Sequence, residues 1–285
     1  MKTGLVMEGG AMRGLFTAGV LDVFMENGIT FDGSIGVSAG AAFGCNFKSG
    51  QIGRALRYNK RFCRDKRYCS MHSLIKTGDM FGAEFCYKTI PYELDIFDTA
   101  AFEANPMEFY VVCTDAETGK PIYKKCDKAD SEGMEWIRAS ASMPLVSRIV
   151  EIGSYKLLDG GVADSIPLSY FESIGYTKNV VILTQPKGYV KKKNRLLPVM
   201  RLCLKKYRGI LKAAAERHSV YNRTTCYVCE REKTGEVLVI RPDAPLPLKR
   251  TEHDPEKLQI AYDTGRKAAL IRLDEIKKFL SSKKQ

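Results

Sequence analysis

No apolar stretch in the chain approaches the roughly 20 residues that a bilayer-spanning helix needs, which excludes a helical membrane span on sequence grounds. The opening Met1-Lys2-Thr3-Gly4 reaches Glu8 after a short apolar run. It lacks the apolar core and small-residue cleavage site of a secretory signal, so a cytoplasmic compartment is expected. Histidine is scarce: only His72, His218 and His253 occur, and none lies in a recognisable catalytic pattern. The nine cysteines are an odd number in a chain without an export signal, which argues against a complete disulfide framework and for thiols packed as small hydrophobes. Only Cys226 and Cys229 form a C-x-x-C pair, and no second pair or histidine follows at zinc spacing, so no metal is expected. Acidic residues are missing altogether between Lys187 and Lys212, where ten residues are basic.

What is present suits a globular α/β protein. A chain of 285 residues, 45% hydrophobic, can bury one substantial core, and a single domain over residues 1–285 is the expectation. Gly4 to Met7 is a strand-type run followed by Gly9-Gly10 and then by helical spacing of Leu15, Ala18, Val20, Val23 and Phe24, with Asn27-Gly28 as the stop. A second strand, Phe31 to Ile35, leads into Gly36-Val37-Ser38-Ala39-Gly40 and an Ala-rich helix to about Lys48. This β-turn-α-β-turn-α opening predicts a mainly parallel sheet covered by helices on both faces, with ligands at the carboxyl ends of the strands. Further along, the pattern predicts a basic helix over 51–67, a strand from Phe109 to Thr114, a helix from Met134 to Ser140 and a strand from Val180 to Thr184. A hairpin formed by Ile149–Ile152 and Tyr155–Leu158 ends on Asp159-Gly160-Gly161. Asp254-Pro255 caps a last helix through Leu258, Tyr262, Ala269 and Ile276 towards a Lys-rich tail.

Three motifs carry chemistry. Gly36 to Gly40 is a G-x-S-x-G pentapeptide between a strand and a helix, the context of a nucleophile elbow; the plain reading is a serine capping the following helix. Gly9, Gly10 and Ala11 can present backbone N–H groups just before a helix N-terminus, with Arg13 adding positive charge, as acyl transfer requires for its oxyanion. A plain tight turn is the alternative; dinucleotide binding fits poorly because Ala11 falls on the second glycine of G-x-G-x-x-G. Serine needs a base within reach, and Asp159 sits at a strand end before Gly160-Gly161, where another loop can approach closely. An ordinary aspartate, with a pKa of about 3.9, is a feeble base unless its site desolvates it, and a lone D-G-G is most often a turn.

Together these motifs resemble the patatin-like phospholipase family, which pairs a G-G-G-x-R-G loop with a G-x-S-x-G elbow and a D-G-G or D-G-A base. Here they read Gly9-Gly10-Ala11-Met12-Arg13-Gly14, Gly36 to Gly40 and Asp159-Gly160-Gly161. Thr114-Asp115-Ala116-Glu117-Thr118-Gly119 and Ala139-Ser140-Ala141-Ser142-Met143-Pro144 also look similar, as do Tyr262 and Gly265 in the last helix. The resemblance covers about residues 4–186, with basic helical and C-terminal elements over 187–285. It implies a three-layer α/β sandwich and hydrolysis of lipid acyl esters, with no metal or cofactor. Ser38 becomes the nucleophile and Asp159 the base of a dyad without histidine, while Gly9, Gly10 and Ala11 become the oxyanion donors. Ala11 departs from the family's third glycine, and its Cβ disfavours φ > 0.

The net charge of +12 and the basic segment 187–212 point to an anionic partner. Over Leu196 to Leu211 the apolar Leu197, Met200, Leu204 and Leu211 alternate with Arg201, Lys205, Arg208 and Lys212, which predicts a basic amphipathic helix. Such a helix either packs its stripe on the protein or lies peripherally on an anionic inner-membrane surface. Two rivals to the dyad stay open: a Ser38-Asp159 hydrolase using His218 or His253, and a non-enzymatic binder of membranes or nucleic acid. Nucleic acid is not expected, since Tyr207 and Tyr221 are too sparse for a base-stacking platform.

Overall fold

The computed structural model describes residues 2–282. Lys283 and Lys284 of the Lys-rich tail lie outside the described residues. The strands are β1 (Lys2–Met7), β2 (Gly33–Val37), β3 (Glu108–Asp115), β4 (Pro121–Lys125), β5 (Val150–Ile152), β6 (Tyr155–Asp159), β7 (Tyr176–Ile182) and β8 (Val237–Ile240). They form one sheet in the order β5-β6-β3-β2-β1-β7-β8, with β4 also on β3. The pairs β3·β2, β2·β1, β1·β7 and β7·β8 are parallel, while β4, β5 and β6 join antiparallel at the β3 end.

Strand side chains alternate between two cores. Leu5, Met7, Phe109, Val111, Val180 and Ile182 point to one face; Val6, Ile35, Val37, Val112, Val181 and Val239 point to the other. The first face is covered by α1 (Gly14–Glu26), α2 (Ala39–Lys48), α5 (Thr99–Ala104), α6 (Ser131–Ser140) and the C-terminal pair α10 (Pro255–Ile271) and α11 (Leu273–Ser281). The second face is covered by α7 (Leu168–Ser173) and the long α9 (Arg208–Lys233). Helices α3 (Arg54–Phe62), α4 (Met71–Thr77) and α8 (Leu197–Cys203) lie outside these layers, as does a π-helical segment, Phe85–Leu94. Gly19 of α1 and Gly265 of α10 let the two backbones touch: a Cβ on Gly265 would collide with the Phe16 carbonyl. Tyr262 then donates to Asp22 across the same crossing at 2.6 Å.

Four expectations change. The basic helix over 51–67 shortens to α3, because Gly53 starts it in a left-handed conformation and a turn on Asp65 ends it. Its first cation is not solvated: Arg54 is buried, donates to Asn46 and to the Asp95 carbonyl, and pairs with the Asp95 carboxylate at 3.3 Å. The helix predicted over 196–211 breaks into α8 and the start of α9, since Gly209 must press against the backbone of Glu117 and Gly119 and Ile210 donates to the Ala116 carbonyl. The last helix begins at its predicted cap, Asp254, but breaks at Arg272, whose side chain donates to the Val239 carbonyl at the sheet edge. The strand placed at 180–184 begins earlier, at Tyr176, and ends at Ile182.

Candidate active site

Val37 pairs with Val112 and Asp159 pairs with Cys113, so β2 and β6 deliver their last residues to neighbouring positions along β3. The Ser38 hydroxyl donates to Asp159 Oδ2 at 2.8 Å. Ser38 holds φ +55° and ψ −120° between β2 and α2, a strained conformation for a side chain with a Cβ and typically worth about 1–3 kcal/mol. The surroundings impose it. A Cβ on Gly36 would stand 2.6 Å from the Ala41 nitrogen, and one on Gly40 would stand 2.5 Å from the Met7 carbonyl, so only glycine lets the turn close this tightly. Ser140, at the end of α6, accepts the Ser38 N–H at 2.8 Å and donates to the Val112 carbonyl at 2.6 Å, tying the elbow to β3.

Asp159 is 6% exposed and Ser38 7%. The second carboxylate oxygen of Asp159 accepts from the Gly161 N–H at 2.7 Å. Its backbone N–H donates to the Ser142 carbonyl at 2.7 Å, and its carbonyl accepts from the Thr114 hydroxyl at 2.8 Å. Burial pushes the Asp159 carboxyl above the usual aspartate value; the Arg217 guanidinium is the largest opposing influence, followed by the Ser38 hydroxyl. A desolvated carboxylate aimed at a serine hydroxyl is a stronger base than an exposed one.

The Gly-rich turn lies directly on this pair. A Cβ on Gly9 would approach the Val37 carbonyl to 2.9 Å and the Ser38 Cβ to 3.0 Å, which leaves the turn's backbone in contact with the serine. Among the described residues the N–H groups of Gly9 and Gly10 meet no protein acceptor. Ala11 takes φ +49°, the left-handed region that glycine occupies more easily, and starts a short 3-10 turn over Ala11–Arg13. Glu8 anchors the turn from below: one oxygen accepts from the Thr184 N–H at 2.6 Å and from its hydroxyl, the other from the Tyr221 hydroxyl at 2.7 Å. Arg13 is half-buried with its Nε unpartnered, and desolvation holds its pKa below the usual arginine value.

Ser38, Ala11 and Met143 line two cavities at once. One is narrow, about 100 Å³, and apolar, walled by residues such as Met12, Phe43, Tyr58, Ile90 and Met134. Its one charged wall residue, Arg54, is neutralised by Asp95. The other is about 590 Å³ and basic, with seven Lys or Arg side chains against only Glu8 and Asp159. His218 lines this second cavity but bonds to Ala215 and Ser219, and His253 bonds to the Cys63 carbonyl. Neither histidine bonds Ser38 or Asp159.

The structure therefore brings together Ser38, Asp159, Gly9, Gly10 and Ala11, with Arg13 on the wall of the basic cavity. Sequence reading assigned no role to Ser140, Glu8, Tyr221, Arg217 or Arg250. Ser140 was visible only as part of a family-like hexapeptide; Arg217 and Tyr221 could have been linked by their i, i+4 spacing on one helix face. Replacing Ser140 by Ala would leave the Ser38 N–H and the Val112 carbonyl without this partner in a fully buried place. We expect Ser140→Ala to lose about 2 kcal/mol in urea denaturation; an unchanged midpoint and slope would contradict the tie described here.

A family model described as patatin-like phospholipase matches residues 5–172, and a second, described as Domain of unknown function (DUF6363), matches residues 207–281. Among curated relatives, an Escherichia coli K12 protein called "Uncharacterized protein YjjU" is 32% identical over 194 residues, 65% of this chain and 52% of its own length. A Mycobacterium tuberculosis H37Rv protein called "Uncharacterized NTE family protein Rv1063c" is 26% identical over 59% of this chain and 45% of its own. "Lysophospholipase nte1" of Aspergillus terreus is 28% identical over 61% of this chain but 11% of its own. The matches thus span about half the length of the bacterial relatives. VipD from Legionella pneumophila superposes with a TM-score of 0.48 at 11% identity, covering 96% of this chain and 67% of VipD. With the family model spanning more than half of the chain, over both the elbow and the D-G-G segment, the protein belongs to the patatin-like phospholipase family.

Proposed function

We propose that the protein hydrolyses acyl esters of lipids, of the phospholipase A or lysophospholipase kind, through a Ser38–Asp159 dyad. The observation that carries this reading is the 2.8 Å hydrogen bond from the strained, buried serine to a desolvated carboxylate, with no histidine between them. Asp159 takes the hydroxyl proton as Ser38 Oγ attacks the ester carbonyl. The N–H groups of Gly9, Gly10 and Ala11 receive the oxyanion, and Asp159 returns the proton to the departing alcohol. Water then attacks the acyl-enzyme, giving its proton to Asp159, and Ser38 leaves reprotonated. The apolar cavity suits the acyl chain, since its methionines adapt to a flexible ligand. Loss of one oxyanion donor typically costs about 3 kcal/mol of barrier in enzymes of this kind.

A membrane-facing role for residues 187–212 has support of its own. In α8 only Met200 turns fully inward, while Leu196, Val199 and Leu202, the last 76% exposed, face outward among Arg195, Arg201 and Lys205. Val190 and Leu196 also line the mouth of the basic cavity, so a bilayer touching this patch would lie beside the dyad. Among the described residues no helix is long and apolar enough to cross a membrane. The non-enzymatic nucleic-acid reading has less behind it, because Tyr221 is buried against Glu8.

Four measurements test these points. A fluorophosphonate probe should label the purified protein and fail on Ser38→Ala, with ester turnover in Asp159→Asn falling by more than about a hundredfold. Full turnover in both His218→Ala and His253→Ala is expected; loss in either would favour a histidine triad. Because burial raises the Asp159 pKa, the base is protonated and activity lost as pH falls through a value above the ordinary 3.9 or so. Arg217→Met removes the main opposing charge, so the acid limb of kcat/KM on a neutral ester should move further up; a limb that stays or falls would refute the assignment. Vesicles carrying acidic lipid should bind the protein better than neutral ones, by roughly 1 kcal/mol per basic residue near the surface, and Leu202→Asp should weaken it. Equal binding to both vesicle types would remove the membrane contact.

A further inference from the structure

The two cavities divide the surroundings of Ser38 into an apolar and a cationic half. An ester held at Ser38 with its acyl chain in the apolar cavity must direct its alcohol part elsewhere, and the cavity on the other side is the basic one. Its volume of about 590 Å³ lies within the roughly 300–1,000 Å³ of small-molecule sites.

The cations in that cavity lack partners. Among the described residues, Arg13, Lys191, Arg217 and Arg250 form no salt bridge. The two acids of the wall have their oxygens engaged: Glu8 by Thr184 and Tyr221, Asp159 by Ser38 and Gly161. Arg217 is held by a bond from Nε to the Gly161 carbonyl at 2.5 Å, which places its guanidinium beside the D-G-G turn. Lys191 lies with its ammonium 4.0 Å from the Tyr221 ring centroid. Its backbone is clamped to α9, since Asn222 accepts from the Lys191 N–H at 2.8 Å and donates to its carbonyl at 3.1 Å. The Arg250 carbonyl accepts from the Met12 N–H at 3.4 Å, which keeps Arg250 on the Gly-rich turn. Three of these four cations, Arg217, Lys191 and Arg250, are thus tied by backbone contacts and stacking to the wall of one cavity, which Arg13 also lines.

Holding such charges together is costly without an anion among them. Burial, reinforced by Arg217, depresses the Lys191 ammonium to about 7, a state that a bound anion would reverse. Guanidinium groups and an ammonium lining one cavity offer more donors than the two oxygens of a carboxylate can use, and suit the several oxygens of a phosphate. A choline head would meet further cations at the mouth, Lys192, Lys193 and Arg195.

We propose that Arg13, Lys191, Arg217 and Arg250 form a phosphate subsite on the leaving-group side of Ser38, selecting acyl esters whose alcohol carries a phosphomonoester. The proposal rests on the dyad reading and specifies its substrate. Three of the four cations, Lys191, Arg217 and Arg250, lie outside the residues matched by the patatin-like model; two of those fall within the second family match.

The test compares one acyl chain on three alcohols, below micellar concentration: a lysophosphatidic acid, the corresponding lysophosphatidylcholine and the monoacylglycerol. A preference of at least about tenfold in kcat/KM for the phosphomonoester is expected, declining with salt. Lys191→Met and Arg250→Gln should each cut the ratio of phosphomonoester to monoacylglycerol turnover by about tenfold. Equal kcat/KM for the three esters, or variants that lower all three by the same factor, would overturn the subsite and leave the dyad standing. Calorimetric titration of Ser38→Ala separates the two readings, because it needs no turnover: glycerol 3-phosphate should bind, and about tenfold more weakly when Lys191→Met is added. Absence of that binding refutes the subsite whatever the ester assays give. Inorganic phosphate is the control arm; binding as tight as glycerol 3-phosphate, without phosphomonoester preference, would mark a free-anion site and refute the headgroup assignment.

Discussion

Everything at the site depends on one hydrogen bond, from the Ser38 hydroxyl to the Asp159 carboxylate, and on the strand that makes it geometrically possible. β3 runs parallel to β2 through Val112 and then antiparallel to β6 from Cys113, so the ends of two segments far apart in sequence arrive side by side. Serine strain, the glycine contacts at positions 36 and 40, and the Ser140 bridge to Val112 hold the hydroxyl in place. The carboxylate is fixed independently by Gly161, Ser142 and Thr114. Neither group therefore relies on the other for its position, which is the preorganisation that acyl transfer requires.

The same arrangement explains why burial of Asp159 is tolerated. A carboxylate in a dry site is destabilised by lost hydration, and Arg217 across the Gly161 turn offsets part of that loss. Arg217 is itself half-buried and desolvated, so its charge and those of Glu8, Arg13, Lys191 and Arg250 act on one another beside the dyad. Electrostatics at this site are consequently shared between the sheet, whose strand ends supply Glu8 and Asp159, and the chain beyond β7, where the loop before α8, helix α9 and the loop before α10 supply every cation but Arg13. An apolar cavity on one side and a cationic one on the other then give the serine a polarity matched to an amphipathic ester.

Much of the sheet was legible because strand runs and glycine turns are local signals. The β1 turn, the elbow and the hairpin ending at Asp159 all carry their geometry in adjacent residues. Helices past residue 186 were read less well: α9 has a mixed, partly polar surface that blurs its periodicity, and β8, at only four residues, has little pattern to offer. The break between α8 and α9 comes from Gly209 docking on the Glu117–Gly119 turn, a contact between segments ninety residues apart that no window along the chain contains. Arg54 shows the same limit, since a residue placed on a basic helix turns out to be buried against Asp95.

Taken alone, the amino-acid sequence determined which chemistry was available: a serine in a glycine-flanked turn, an aspartate before two glycines, unblocked N–H groups ahead of a helix and a surplus of cations over 187–212. These depend on residue type and short spacing, and they persist in any fold that keeps the local turns. Only the tertiary structure decided that the aspartate, and not a histidine, faces the serine, and that part of the basic segment turns inward to the site. Both are questions of which distant surfaces meet, and they are answered by strand register and helix docking, where close packing permits one arrangement and excludes its neighbours.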